Sequence, residues 1–443
     1  MTSLLEMVRE SPFTAYSYAY PHKTSYRPLE PAVPLESLWA AERRDALFLY
    51  IHIPFCEMRC GFCNLFTTVH PGQDRVKAYL AALAREAECV AGALGGATFA
   101  RMAIGGGTPT YLDAAQLDFV FDLAARVFGV DPTVVPASVE TSSTTSSAER
   151  LRVLRERGVE RISIGVQSFL DTEVAAAGRS QRRSDVEQAL ERIRDAGFPA
   201  LNIDLIYGLP GQTEESWLAS LDAALRYAPE ELYLYPLYVR PLTGLGRRER
   251  RPEDTRLALY RAGREQLLTS GYEQVSLRMF RRKPATTVGR APAGPVYCCQ
   301  EDGMVGIGCG ARSYTRGLHY SSEYAVGASG VRSIIDGYLD RSRESFASAA
   351  YGFALDAGDQ RRRYLIQSLL QVEGLELESY RRRFGSELAA DFPELSELAE
   401  HKLAELSGTH LRLTEAGLEQ SDTIGPWLYS APVRRRMESY ELR

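Results

Sequence analysis

No apolar run in this 443-residue chain approaches the ~20 residues that a membrane-spanning helix needs, and the longest, Ala46–Phe55, is broken by His52. The opening MTSLLEMVRESP lacks a basic stretch followed by an apolar core, so no secretory leader is expected. Excess positive charge is missing too. With 52 Lys and Arg against 57 Asp and Glu the net charge is −5, so no bulk field draws the chain to nucleic acid or to an anionic membrane. Low-complexity tracts are absent, and the seven cysteines are too few and odd in number for a disulfide framework. What remains is an ordinary globular composition, long enough for two or three domains. These absences point to a cytoplasmic enzyme, monomeric, acting on a small molecule with neither nucleic acid nor membrane as a partner.

From Leu47 to Val239 short apolar runs alternate with stretches of helical period. LFLYIHI, ATFARMAI, VVPASVE, RISIGV, ALNIDLIYGL and ELYLYPLYV read as strands. Between them, Arg75–Ala93, Ala114–Phe128, Ala148–Arg157, Ser184–Ala196 and Glu214–Tyr227 read as helices, with Gly158 and Gly197 where two of them should stop. Such alternation implies parallel strands joined by right-handed crossovers, an α/β partial TIM-like barrel whose chemistry sits at the C-terminal strand ends. The expected organisation is an irregular, Pro- and Tyr-rich arm over 1–45 and barrel core over 46–240. A barrel extension with a Gly-rich stretch follows over 241–345, then a C-terminal winged-helix-like α+β domain over 346–443. The arm segment YSYAYPHKTSYR, Tyr16–Arg27, has the composition to line the approach of a planar substrate, or simply to lie on apolar surface.

Cys56, Cys60 and Cys63 stand as C-x3-C-x2-C directly after the first expected strand. Three thiolates on one loop at a barrel mouth suit three corners of a [4Fe–4S] cluster, leaving one iron for a substrate's amine and carboxylate. A structural zinc ion would want a fourth ligand at short range, for which His70 is the nearest candidate. Cys89 falls within a helix, and Cys298, Cys299 and Cys309 flank the Gly-rich stretch Tyr297–Thr315 as substrate thiols, auxiliary ligands or plain core residues.

The cysteine spacing resembles that of radical S-adenosylmethionine (SAM) enzymes. LYIHIPFC, GGGTP (Gly105–Pro109), RISIGVQSF, AAGRSQ and NIDLIYGLPGQT resemble, in order, the coproporphyrinogen III oxidase-like (HemN-type) branch. That resemblance implies reductive cleavage of SAM by the cluster to a 5′-deoxyadenosyl radical, with the electron from an external reductant such as flavodoxin or ferredoxin. It implies SAM contacts from Gly106, Gly107 and Thr108, whose N–H groups would meet the methionine end, and from Glu140, Gln167, Arg179 and Asp204. Tyr50 would pack on SAM, and Asp204 and Tyr50 are the catalytic candidates. It also implies a second SAM against Ile307 and Gly308.

Within the branch three functions compete. Coproporphyrinogen III decarboxylases resemble C-x3-C-x2-C-x-C, and Leu65 stands here where the further cysteine would be. Haem chaperones resemble a shorter chain with CDF after the cluster. This one has CNLF and a long arm, and His319 is its single candidate haem ligand. The remaining reading, favoured by these departures, is a class C methyltransferase or cyclopropanase. There two adjacent SAM molecules alkylate an sp2 carbon of an aromatic small molecule.

Overall fold

The computed structural model describes residues 3–247, 254–283, 297–300 and 303–442. Six strands, β1 (Leu47–Ile53), β2 (Phe99–Gly106), β3 (Ala137–Thr141), β4 (Arg161–Gln167), β5 (Ala200–Tyr207) and β6 (Glu231–Pro236), pair in sequence order and all in parallel. The crossovers carry α1 (Gln73–Leu94), α2 (Ala114–Phe128), α3 (Ala148–Glu156), α4 (Arg183–Asp195) and α5 (Glu214–Leu225). An additional short helix, Asp171–Ala176, stands between β4 and α4. This is the α/β partial TIM-like barrel that the alternation implies.

Local chemistry explains the boundaries. Asp113 and Gln116 cap α2 reciprocally, and Thr213 and Ser216 do the same for α5. Gly158 and Gly197, just past α3 and α4, have φ of 86° and 70°, the left-handed turn that a side chain resists. On α1, Val76, Tyr79, Leu80, Leu83, Ala87, Val90 and Leu94 recur at helical spacing and are buried. Toward the mouth the apolar strands carry Glu140, Gln167 and Asp204.

The barrel does not close. One 13-stranded sheet runs past both edges of the six strands. Beyond β6 lie Met279–Arg282 and then Tyr272–Gln274, antiparallel. Beyond β1 comes Met304–Ile307, parallel, followed by the antiparallel strands Arg312–Tyr314, Leu318–Ser321, Ser348–Ala354 and Arg27–Pro34. The last of these belongs to the N-terminal arm, which is therefore less irregular than its composition suggests. It opens with a helix, Leu4–Glu10, and closes with another, Leu35–Ala40. Its proline-rich strand is tolerated because it is the outermost strand, where a missing N–H breaks no ladder.

A second apolar core gathers Leu365, Leu369, Leu375, Tyr380, Leu398 and Ile424 of the C-terminal helices around a three-stranded wing, Leu375–Glu376, His410–Leu413 and Ala404–Ser407. Leu4, Tyr20 and Tyr26 of the arm enter that same core, so the first and last segments of the chain fold together. The joint with the barrel is ionic. Arg278, preceding the Met279–Arg282 strand, donates to Asp422 at 2.5 Å and to the Tyr238 hydroxyl at 2.8 Å, and its guanidinium lies 3.7 Å over the ring of Tyr16. The two charged side chains are 5% and 1% exposed. Removing one partner strands the other charge away from water. Asp422→Ala is therefore expected to cost ~3–5 kcal/mol, read by urea denaturation, and Asp422→Asn less because it keeps a hydrogen-bond acceptor.

Candidate active site

The cysteine loop leaves β1 through Phe55–Cys56, which pairs with Thr68–Val69 and pins the base of the loop. Cys63 N–H turns back onto the Cys60 carbonyl at 3.0 Å. Gly61 is wedged so tightly against Ala177 that a Cβ there would lie 2.6 Å from the Ala177 carbonyl oxygen. Thr108 donates to the Cys56 sulfur at 3.7 Å, and Arg179 to the Cys60 sulfur at 3.2 Å. Burial, reinforced by the Cys63 thiol, pushes the Cys56 thiol up to about 12; burial and then Cys60 push Cys63 upward as well. These thiols lose their protons only to a strong positive centre, which suits iron. Among the described residues no three His, Cys, Asp or Glu side chains close around a single ion.

All three thiols face one cavity of about 820 Å³ at the C-terminal ends of the strands. Gly107, Thr108, Glu140, Gln167, Arg179 and Asp204 line it too, so most of the residues expected to contact a cofactor converge there. Glu140, open to the cavity, is pushed up to about 7 by burial, against the pull of the Gly106 N–H, which it accepts at 3.1 Å. Asp204 is pushed to about 6 by burial while accepting from Asn202 at 2.7 Å. Gln167 ends β4 with φ of 71°, where the β4–β5 register slips, and folds back over Gly165.

Several residues take different parts from those expected. The N–H groups of Gly106, Gly107 and Thr108 are already bonded to Glu140, Ile53 and Phe55, so they are not free for a ligand. The bareness of Gly107 serves contact instead: a Cβ there would lie 2.5 Å from the Phe55 oxygen and 2.9 Å from the Cys56 sulfur. Arg179 spreads its fork over Cys60, the Gly165 carbonyl (2.7 Å) and Gln181 (2.8 Å), clamping the cysteine loop to β4. Tyr50 is not on the cavity wall; its hydroxyl sits 3.3 Å from His52 Nδ1 beside Gly105. Ile307 and Gly308 are not on the wall either. Their strand pairs in register with β1, which sends Ile307 into the core and leaves the Gly308 N–H bonded to Glu86 at 2.7 Å. His319 is 1% exposed, tilted at 44° against Tyr314 with ring centroids 4.4 Å apart, and away from the cavity, so haem has no access to it. Cys309 is buried in the core.

More of the wall comes from the segment after β3, from the Tyr-rich arm whose composition suits a lining role, and from later segments. Ser142, Ser143 and Thr144 follow β3, and the signal was present: seven consecutive hydroxyl residues, Thr141–Ser147, at a strand end. The arm supplies Tyr16, Tyr18, His22 and Lys23, and later segments supply Tyr238, Arg240, Arg312 and Tyr324. The four arm residues fall in the segment Tyr16–Arg27, offered from its composition as a lining of the substrate's approach; Arg240 and Tyr324 carry no such signal.

The comparisons with known proteins agree with this geometry. A Radical SAM superfamily model matches residues 50–224, and a HemN C-terminal domain model matches residues 355–419. The chain is 30% identical over 390 residues to the oxygen-independent coproporphyrinogen III oxidase of Paracoccus denitrificans, covering 84% of each protein. It is 29% identical over 387 residues to the heme chaperone HemW of Bacillus subtilis, covering 86% of this chain and 98% of that one. Its fold superposes on coproporphyrinogen III oxidase (HemN) from Escherichia coli with a TM-score of 0.80 at 24% identity, over 96% of this chain and 98% of that one. The relatives named here are oxidases and a chaperone, not methyltransferases. The chain belongs to the radical SAM superfamily and, within it, to the HemN-type family of coproporphyrinogen oxidases and HemW proteins.

Proposed function

We propose that this protein uses the adenosyl radical of a single SAM to abstract hydrogen from a substrate in the cavity, in the manner of an oxygen-independent coproporphyrinogen III oxidase-like decarboxylase. The observation that carries this reading is the convergence of Cys56, Cys60 and Cys63 with Glu140, Gln167 and Asp204 on one large cavity. Bound on those thiolates, a [4Fe–4S] cluster supplies the electron that cleaves SAM. Around it, Thr108 and Arg179 donate to thiolate sulfurs and stabilise their charge. Glu140 and Asp204 are the acceptors for the ammonium and ribose hydroxyls of SAM, and Gln167 supports the ribose. The tyrosine-rich wall keeps water from the reacting carbon. Leu65, apolar and 49% exposed, lines the cavity at the position where the decarboxylases resemble a cysteine, so the reading extends to the reaction class and not to the identical substrate.

Two-SAM alkylation is the second reading. Its favouring observation is volume: ligand pockets run ~300–1,000 Å³, and this one lies in the upper part of that range. The placement of Ile307 and Gly308 off the cavity counts against it.

Three measurements test the assignment. Anaerobically reconstituted protein, dithionite and SAM with a deuterated methyl group are expected to yield unlabelled 5′-deoxyadenosine in step with product. Deuterium in 5′-deoxyadenosine together with S-adenosylhomocysteine would establish alkylation instead. Stoichiometric haem binding without SAM cleavage would make the protein a chaperone. SAM affinity is expected to rise with pH, by up to about tenfold per unit, until it levels above pH 7. Burial holds Glu140 protonated below about 7, and only its ionised form accepts from the SAM ammonium. Glu140→Gln should bind SAM more weakly and lose that dependence. Gly107→Ala should retain less iron than wild type with an unchanged far-ultraviolet circular dichroism spectrum, because the added carbon presses on the Cys56 sulfur. Gly92→Ala, with nothing within 4 Å of the new carbon, is the control.

A further inference from the structure

Shortly after β6 the chain makes a turn, 240–246, that is closed tightly on itself. The Thr243 N–H and hydroxyl both donate to the Arg240 carbonyl, at 3.3 and 2.7 Å, and the same hydroxyl accepts the Gly246 N–H at 3.1 Å. A Cβ on Gly246 would lie 1.9 Å from that carbonyl oxygen, so a side chain there has no room. Leu242 has φ of 65°, a left-handed backbone that a side chain resists. Backbone held against its preference persists only where its surroundings over-determine it, and such positions gather at functional sites.

The turn ends on the cysteine loop. The Leu245 N–H donates to the Gly61 carbonyl at 2.7 Å, while the Gly61 N–H donates to the carbonyls of Ala177 and Gly178 at 3.1 and 3.2 Å. Both backbone groups of the residue after Cys60 are therefore held from outside the loop, by two segments distant in the chain. The approach is close: a Cβ on Gly244 would lie 3.0 Å from the Gly61 Cα. The Leu245 side chain packs with Ala177, Ile206, Leu209 and Leu237 in a small apolar cluster of its own, and Phe62 of the cysteine loop rests against it. The other side of this segment faces the cavity through Tyr238, Arg240 and Pro241, whereas Thr243, Gly244 and Leu245 are not on the wall.

We propose that Thr243, Gly244 and Leu245 are positioning residues for the iron–sulfur cluster, bracing Gly61 and Phe62 and thereby setting where Cys60 and Cys63 stand relative to the cavity. The proposal deepens the radical SAM reading and rests on it for the cluster. Thr243 acts by closing the turn, Gly244 by permitting the approach, and Leu245 through its N–H on the loop. Ionised thiolates repel one another, and contacts outside the ligand set hold such ligands in place and tune the group they carry.

The test uses cluster-loaded full-length protein. Thr243→Val removes the hydroxyl at nearly constant volume, and Thr243→Ser keeps it. Thr243→Val is expected to alter the electron paramagnetic resonance spectrum of the dithionite-reduced cluster and to release iron to a chelator severalfold faster, with an unchanged far-ultraviolet circular dichroism spectrum. Thr243→Ser should match wild type. Ile424→Val, which trims the C-terminal core, controls for general loosening and should leave both readouts alone. A wild-type spectrum and iron release in Thr243→Val overturn the brace, as do failure of Thr243→Ser to restore them and an equal change in Ile424→Val. Where Thr243→Val misfolds, hydrogen exchange on wild type decides: amides over 240–247 should exchange more slowly with the cluster bound than after its chelation. Exchange indifferent to the cluster sinks the proposal. Protein that takes up no cluster fails the radical reading and the brace together; a loaded cluster with an indifferent turn fails the brace alone.

Discussion

Parallel pairing of the six central strands is the constraint on which the rest depends. Because every strand points the same way, every C-terminal end opens on the same rim, and groups far apart in the chain become neighbours there. The cysteine loop leaves β1, Glu140 and Gln167 come from β3 and β4, and Asp204 projects from β5. A single antiparallel strand among them would turn one of these groups to the opposite face. The close approach of β2 to the cysteine loop, with Gly107 against Phe55 and Cys56, then sets where the sulfurs sit relative to the carboxylates.

An open sheet leaves two edges to be managed, and here both are extended rather than capped. The extension beyond β1 ends with the arm, and that beyond β6 ends near Arg278, where the C-terminal helices bring Asp422. The arm crosses from the C-terminal core to the cavity wall, so one short segment supplies Tyr20 and Tyr26 to that core and Tyr16, Tyr18, His22 and Lys23 to the wall. Tyr16 is the clearest case: it lies under the Arg278 guanidinium and also faces the cavity.

Groups of both charge signs line the cavity. On the cysteine side, burial raises the pKa values of Glu140, Asp204 and two of the thiols, so this end is poorly charged until a cationic ligand and iron arrive. Lys23, Arg240 and Arg312 keep positive charge on aromatic faces of the same wall, Lys23 within reach of the Cys63 thiol's field.

Much of this is legible in the order of the residues alone. Strand and helix periods are properties of consecutive residues, so the barrel strands, the five crossover helices and the glycine stops follow from local pattern. The three cysteines are legible because one short loop carries them all. Glu140 and Asp204 are legible as lone acids in apolar strands. Other features come from tertiary structure alone. A proline-rich arm with no period becomes an edge strand only because a free edge exists to receive it. Ile307 and Gly308 turn away from the cavity because their strand takes its register from β1, which their own sequence does not encode. The wall also joins Lys23, Arg240 and Arg312, and no one of their segments shows that the three share one cavity. Period and spacing report contacts a few residues apart; the meeting of distant side chains is decided by strand order and register, which exist only once the sheet has formed.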